Sequence, residues 1–180
     1  MVSRTKPMRI VIALGGDALL REEHLDHVRL AAGAAPVTTI LAEVAARYQL
    51  VLTYDNDLAA ALLAKELNAD AVVFATDVPA VAVDWGTARS RDIRQATPQH
   101  LRALSFDPGS MGPKVEAACR FVDGGGAWAA IGALDDLAAV IAGDAGTRIT
   151  PSPGPITYRS RRPAAVSAQT PTVSEPLVRA

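Results

Sequence analysis

One cysteine, three lysines, few aromatic residues and no long apolar run mark this 180-residue chain by what it has little of. A lone Cys119 excludes an intrachain disulfide. Its place between Ala118 and Arg120 on an expected helix reads as a structural thiol rather than a nucleophile. No apolar stretch reaches the roughly eighteen residues that span a bilayer. The basic lead before Ile10–Leu14 superficially has the form of a signal peptide, but the apolar run ends in Gly-Gly-Asp, which favours a first core strand. A cytoplasmic protein is expected. The formal net charge of −1 supplies no field for nucleic acid or a membrane surface. His24 and His27 stand three apart with no cysteine nearby, which reads as surface histidines rather than metal ligands.

What is present is 49% apolar residues, mostly alanine, valine and leucine, the profile of helices packed on a parallel sheet. The run at 9–14 reads as a strand buried on both faces. Residues 24–48 have mixed helical spacings, broken into two pieces by Gly33 and Pro36. A strand over 50–53 leads to a helix over 57–67, capped by Asp55 or Asp57. A strand over 71–75 is followed by Thr76-Asp77-Val78-Pro79, and residues 81–83 lead into a Trp85-Gly86 turn that suggests a small hairpin. Thr97-Pro98 opens a short helix to Leu104, and a second helix covers 113–122. Strand 128–131, helix 134–141 and strand 147–150 complete the series.

The expectation is an α/β chain, a three-layer α/β/α sandwich on a mainly parallel sheet, over residues 1–150. Residues 151–180 hold six of the twelve prolines and four arginines against one glutamate, and read as a disordered, mildly basic tail.

The stretch FDPGSMGPKVEAACRFV, residues 106–122, carries the most chemistry. A turn on Pro108 and Gly109 delivers Ser110 and Met111, and the helix that follows has Lys114 in its first turn. A cation beside several free backbone N–H groups suits a phosphate; an ordinary helix start with a solvated lysine is the competing reading. Gly15-Gly16 after a buried strand offers N–H groups to phosphate or is merely a tight turn. Asp55 and Asp57 could orient a lysine, position Mg²⁺ or cap the helix. Asp77 is placed to approach a nucleotide or to close a turn.

In order along the chain, IVIALGGDALL, DNDLAAALLAKELNADAVVFATDVPAVAVDWG, FDPGSMGPKVEAACRFV and AIGALDDLAAVIAGDAGTRIT resemble the segments of carbamate kinases, within the amino-acid kinase superfamily. The Gly-Ser-Met-x-Pro-Lys element is the specific one. The resemblance covers most of residues 9–150 and implies phosphate exchange between ATP/ADP and carbamate or carbamoyl phosphate with Mg²⁺, usually in a homo-oligomer. It implies that Gly15 and Gly16 cradle the transferred phosphoryl group and that Lys114 neutralises phosphate charge. Asp55 and Asp57 fall on the family's Asp-Lys-Asp element, Thr76, Asp77 and Val78 on the nucleotide wall, and Ser110 and Met111 on the signature loop.

The chain also departs from the family. Asp17 stands where the family has asparagine, and Asn56 where it has the central lysine. After QLVLT the family continues with His-Gly-Asn-Gly-Pro and a long substrate and lid section, whereas here TYDNDLAA runs straight on. Impaired turnover is one implication. A non-catalytic nucleotide-binding or regulatory protein on the same fold is the alternative.

Overall fold

A computed structural model describes residues 6–15, 38–54, 56–152 and 154–159. Strand β1 (Arg9–Leu14) pairs in parallel with β2 (Gln49–Tyr54) on one side and β3 (Ala71–Thr76) on the other, and β3 pairs in parallel with β6 (Trp128–Ala133). Strand β7 (Thr147–Ile149) joins β6 antiparallel and β5 (Arg91–Ala96) parallel, while β4 (Ala82–Val83) and β8 (Thr157–Tyr158) pair with β5 antiparallel. The sheet order is β2-β1-β3-β6-β7-β5-β4, with β8 alongside β5. The expected mainly parallel sheet is found, with antiparallel pairs gathered at one end.

The continuous apolar strands reflect burial on both faces. All six residues of β3 are buried. Because successive side chains point to opposite faces, Val11, Ala13, Val72, Phe74, Ala129 and Ile131 enter one core. Their neighbours Ile10, Ile12, Ala71, Val73, Trp128 and Ala130 enter the other. Helix α1 (residues 38–45) contributes Val44 to the second core, and α5 (Leu137–Ala142), entered through a 3₁₀ turn at Leu134–Asp136, contributes Leu137, Val140 and Ile141. Helix α2 (Asp57–Glu66), with α3 (Pro98–Arg102) and α4 (Met111–Asp123), covers the first face through Ala60, Ala64, Leu101, Ala118 and Phe121. Three layers result.

Several expectations change. The α2 cap is Asn56, whose side chain accepts the Ala59 N–H at 2.9 Å, and not Asp55 or Asp57. Asp55 lies outside the described residues, as do Gly16, Asp17, His24 and His27. The hairpin after β3 has a partner strand, Arg91–Ala96, that the sequence reading missed. Its sequence Arg-Asp-Ile-Arg-Gln-Ala is mostly polar, with Ile93 and Ala96 buried and Arg91, Arg94 and Gln95 exposed. Beyond residue 150, Thr157 and Tyr158 pair with β5, and the Arg159 guanidinium donates to the carbonyls of Gly146 and Asp144.

Candidate functional site

Register places the site. Leu14 pairs with both Tyr54 and Ala75, so the carboxyl ends of β1, β2 and β3 lie level along one edge of the sheet. Ligands gather at such edges, because successive strand-to-helix turns open there. A cleft of about 830 Å³ occupies this edge, walled by Gly15, Asp57, Thr76 to Val78, the turn at Asp84-Trp85, and residues 105–107, 109–111, 113 and 114 around the start of α4. Eight of the ten residues singled out from the sequence line it together: Gly15, Asp57, Thr76, Asp77, Val78, Ser110, Met111 and Lys114. Gly16 and Asp55 lie outside the described residues.

The centre is an ion pair between two helix starts. Lys114 Nζ donates to Asp57 Oδ2 at 3.1 Å and Oδ1 at 3.3 Å, joining the first turn of α4 to the first residue of α2. Both side chains are only 16% exposed, so water screens the pair less than it would at the surface. Asn56 does the capping, which frees the Asp57 carboxylate for Lys114. Gly15 closes the third side: its N–H donates to the Ala75 carbonyl at 3.2 Å, and a Cβ there would sit 3.5 Å from Lys114 Nζ. The backbone after β1 thus runs directly beside the ammonium group.

The wall formed by β3 turns outward after Thr76. This threonine is buried, and its hydroxyl donates to Asp77 Oδ1 at 3.0 Å, holding a carboxylate at the lip of the cleft. Val78 is half-buried beside it. Met111 packs its side chain against the first core, anchoring the start of α4.

The N-terminus of α4 differs from expectation. Of its first N–H groups, those of Ser110 and Gly112 donate to the Asp107 carbonyl, at 3.5 and 2.7 Å, and Pro113 has none. The expected array of several free donors is reduced to the Met111 N–H, since the loop folds back and consumes the others.

Among the lining residues not singled out from the sequence are Asp84, Trp85, Phe106 and Asp107. Trp85 is 65% exposed, in a turn with Asp84 at φ 52° and Gly86 at φ 78°. Thr87 braces that turn, donating to the Asp84 carbonyl through both its N–H (3.1 Å) and its hydroxyl (2.9 Å). The legible signal was a tryptophan beside a turn glycine in a chain with only two tryptophans. Among the described residues, no group of three or more His, Cys, Asp or Glu side chains is placed to hold a metal ion on its own. No helix among them is long and apolar enough to cross a membrane.

The amino acid kinase family model matches residues 25–132. Carbamate kinase of Rhizobium meliloti is 47% identical over 109 residues, covering 61% of this chain and 34% of the relative. Carbamate kinase of Escherichia coli O6:H1 is 41% identical over 150 residues, covering 83% and 48%. The chain therefore spans between a third and a half of the length of these curated relatives. The solved structure of carbamate kinase from Giardia lamblia bound to AMP-PNP superposes with a TM-score of 0.76 at 18% identity, covering 81% of this chain and 99% of that one; this is a likeness of fold.

Proposed function

This chain belongs to the amino acid kinase family and is carbamate-kinase-like in sequence, and we propose that it is a phosphotransferase exchanging phosphate between ATP and carbamate in the cleft around Lys114. The observation that carries the reading is the Lys114–Asp57 pair set against the Gly15 backbone, at the carboxyl ends of three parallel strands. Phosphoryl transfer asks little covalent work of a protein. It needs the reacting oxygens in line and their charge neutralised. Among the described residues, Lys114 is the one cationic side chain lining the cleft. Asp57 holds its ammonium in place by two hydrogen bonds, so that it faces the phosphates without reorganising during the reaction. The backbone at Gly15 is the surface against which the transferred group rests, and Trp85 offers an exposed ring face to the base.

Charge makes a further demand. Among the described residues, the lining carries four carboxylates, Asp57, Asp77, Asp84 and Asp107, against one lysine. A bare nucleotide polyphosphate would be repelled, whereas one that arrives with Mg²⁺ is compatible with this lining. Asp77 and Asp84 are the carboxylates available to take the ion, which would supply neutralisation of the phosphate oxygens. The same reading implies ATP and ADP as cosubstrates, a cytoplasmic setting, a role in arginine metabolism, and a homo-oligomer.

The test is ATP formation from ADP and carbamoyl phosphate with Mg²⁺, comparing the wild type with Lys114→Ala, with ADP binding measured by calorimetry on both. Turnover that falls about 100- to 1,000-fold in the variant supports the kinase reading. ADP binding with no wild-type turnover would reduce the protein to a nucleotide-binding one. Loss of both would remove the nucleotide reading altogether.

A further inference from the structure

A serine at a helix N-cap ordinarily accepts an N–H from the first turn. Ser110 is the N-cap residue of α4 and makes no such bond. Its hydroxyl instead donates to Asp107 Oδ1 at 3.0 Å, and the same oxygen accepts the Gly109 N–H at 2.9 Å. The Asp107 carbonyl accepts the Gly112 N–H at 2.7 Å and the Ser110 N–H at 3.5 Å. Four donors from residues 109 to 112 thus converge on one exposed aspartate. The closure is tight enough that a Cβ on Gly112 would lie 2.8 Å from the Asp107 carbonyl oxygen, so position 112 admits only glycine in this geometry.

We propose that Asp107 is a positioning residue for the nucleotide: it caps α4 from outside the helix and fixes the loop that aims Ser110, the Met111 N–H and Lys114 into the cleft. This rests on the nucleotide reading above. The carboxylate acts in two opposing ways. Its oxygen organises the loop, which favours binding. Its charge adds to an already acidic cleft, which disfavours a polyphosphate. Asparagine keeps an acceptor at Oδ1 and removes the charge, whereas alanine removes both. The two variants should therefore move affinity in opposite directions, a split that loss of global stability alone would not produce.

The experiment compares ADP–Mg²⁺ binding by calorimetry in the wild type, Asp107→Asn and Asp107→Ala, each at 50 and 300 mM salt, with amide exchange at Gly109 and Gly112. Asp107→Ala is expected to bind about tenfold more weakly and to lose protection at both amides. Asp107→Asn is expected to keep that protection and to bind roughly two- to fivefold more tightly, the gain shrinking at high salt. Equal affinity in the alanine variant and the wild type, or unchanged protection at Gly109 and Gly112 in alanine, overturns the proposal. Weakening of equal size in both variants overturns it as well. A wild type that binds no ADP overturns the nucleotide reading instead. The exchange arm still decides then whether Asp107 orders the loop.

Discussion

The two ends of the sheet are built differently. At the β2-β1-β3-β6 end, the parallel strands β1, β3 and β6 are mostly apolar and buried under helices on both faces, with β2 as a partly exposed edge, and hydrophobic burial specifies the arrangement. At the β7-β5-β4-β8 end, β4, β7 and β8 are short, the six-residue β5 is mostly polar, and side chains bind the backbone directly. The fully buried Thr147 accepts the Val81 N–H at 3.0 Å and donates to the Ile93 carbonyl at 2.6 Å. Arg148 stacks 4.0 Å over Trp128 and donates to the Ile141 carbonyl at the end of α5. Arg91 lies 3.7 Å over Tyr158. The cleft takes its wall from the first end, through Gly15 and Thr76, and its rim from the second, through Asp84 and Trp85. A mostly apolar platform thus carries the Lys114–Asp57 pair, and a polar, hydrogen-bonded extension forms the rim above it.

That contrast can be broken most severely at Thr147. Replacing it with valine keeps the volume but leaves a buried N–H and a buried carbonyl unpaired, at about 1–3 kcal/mol each. The expected loss is about 2–4 kcal/mol in chemical denaturation, the larger share being paid at β4 and β5, as amide exchange at Val81 would show. A value under about 0.5 kcal/mol would mean that the polar end does not depend on its buried hydroxyl. Trp85→Ala should act on the rim alone. It removes a ring face worth about 1–3 kcal/mol of stacking, so ADP affinity should fall about tenfold while the denaturation midpoint stays put. Quenching of tryptophan fluorescence by ADP, lost in the variant, checks the same point.

On the platform, Asn56→Ala removes the α2 cap at a cost of about 1 kcal/mol. Since Asp57 is the next residue, turnover should drop further than stability alone explains, read as kcat at a matched folded fraction. The smallest effect concerns pH. Burial pushes the Cys119 thiol up to about 11 from an ordinary 9.0. The native state therefore holds that proton more tightly than the unfolded chain. The contribution is complete below pH 9 and lost as pH rises through about 11. Cys119→Ala should flatten this part of the stability–pH curve, and the folded protein should resist thiol reagents at pH 8.

The platform was legible in the sequence because its physics is local and repetitive. A strand buried on both faces must be apolar throughout, and β1, β3 and β6 announce themselves that way. Pro98 after Thr97 marks a helix start for an equally local reason, and the structure adds a reciprocal cap between Thr97 and His100. Strand β5 went unread because Arg-Asp-Ile-Arg-Gln-Ala carries too few apolar residues to signal a strand. It exists because Val81, Thr147 and Tyr158 supply partners from elsewhere in the chain. Strand β8 was hidden in the same way, within a proline-rich stretch whose composition alone argues for disorder. The cap of α2 was misassigned among three adjacent polar residues, since any of them could have served.

For the site, the sequence by itself determined which residues could serve: a scarce lysine in the first turn of a helix, an aspartate at another helix start, and a glycine at a strand end. Only the tertiary structure decided that they meet. Lys114 and Asp57 are 57 residues apart, and their contact follows from α2 and α4 lying side by side on one face of the sheet. The structure also decided how the donors of α4 are spent, because Asp107 folds back to take them. Burial patterns are written residue by residue along a chain. The pairing of charges and the use of backbone donors depend on distances that exist only after the layers have packed.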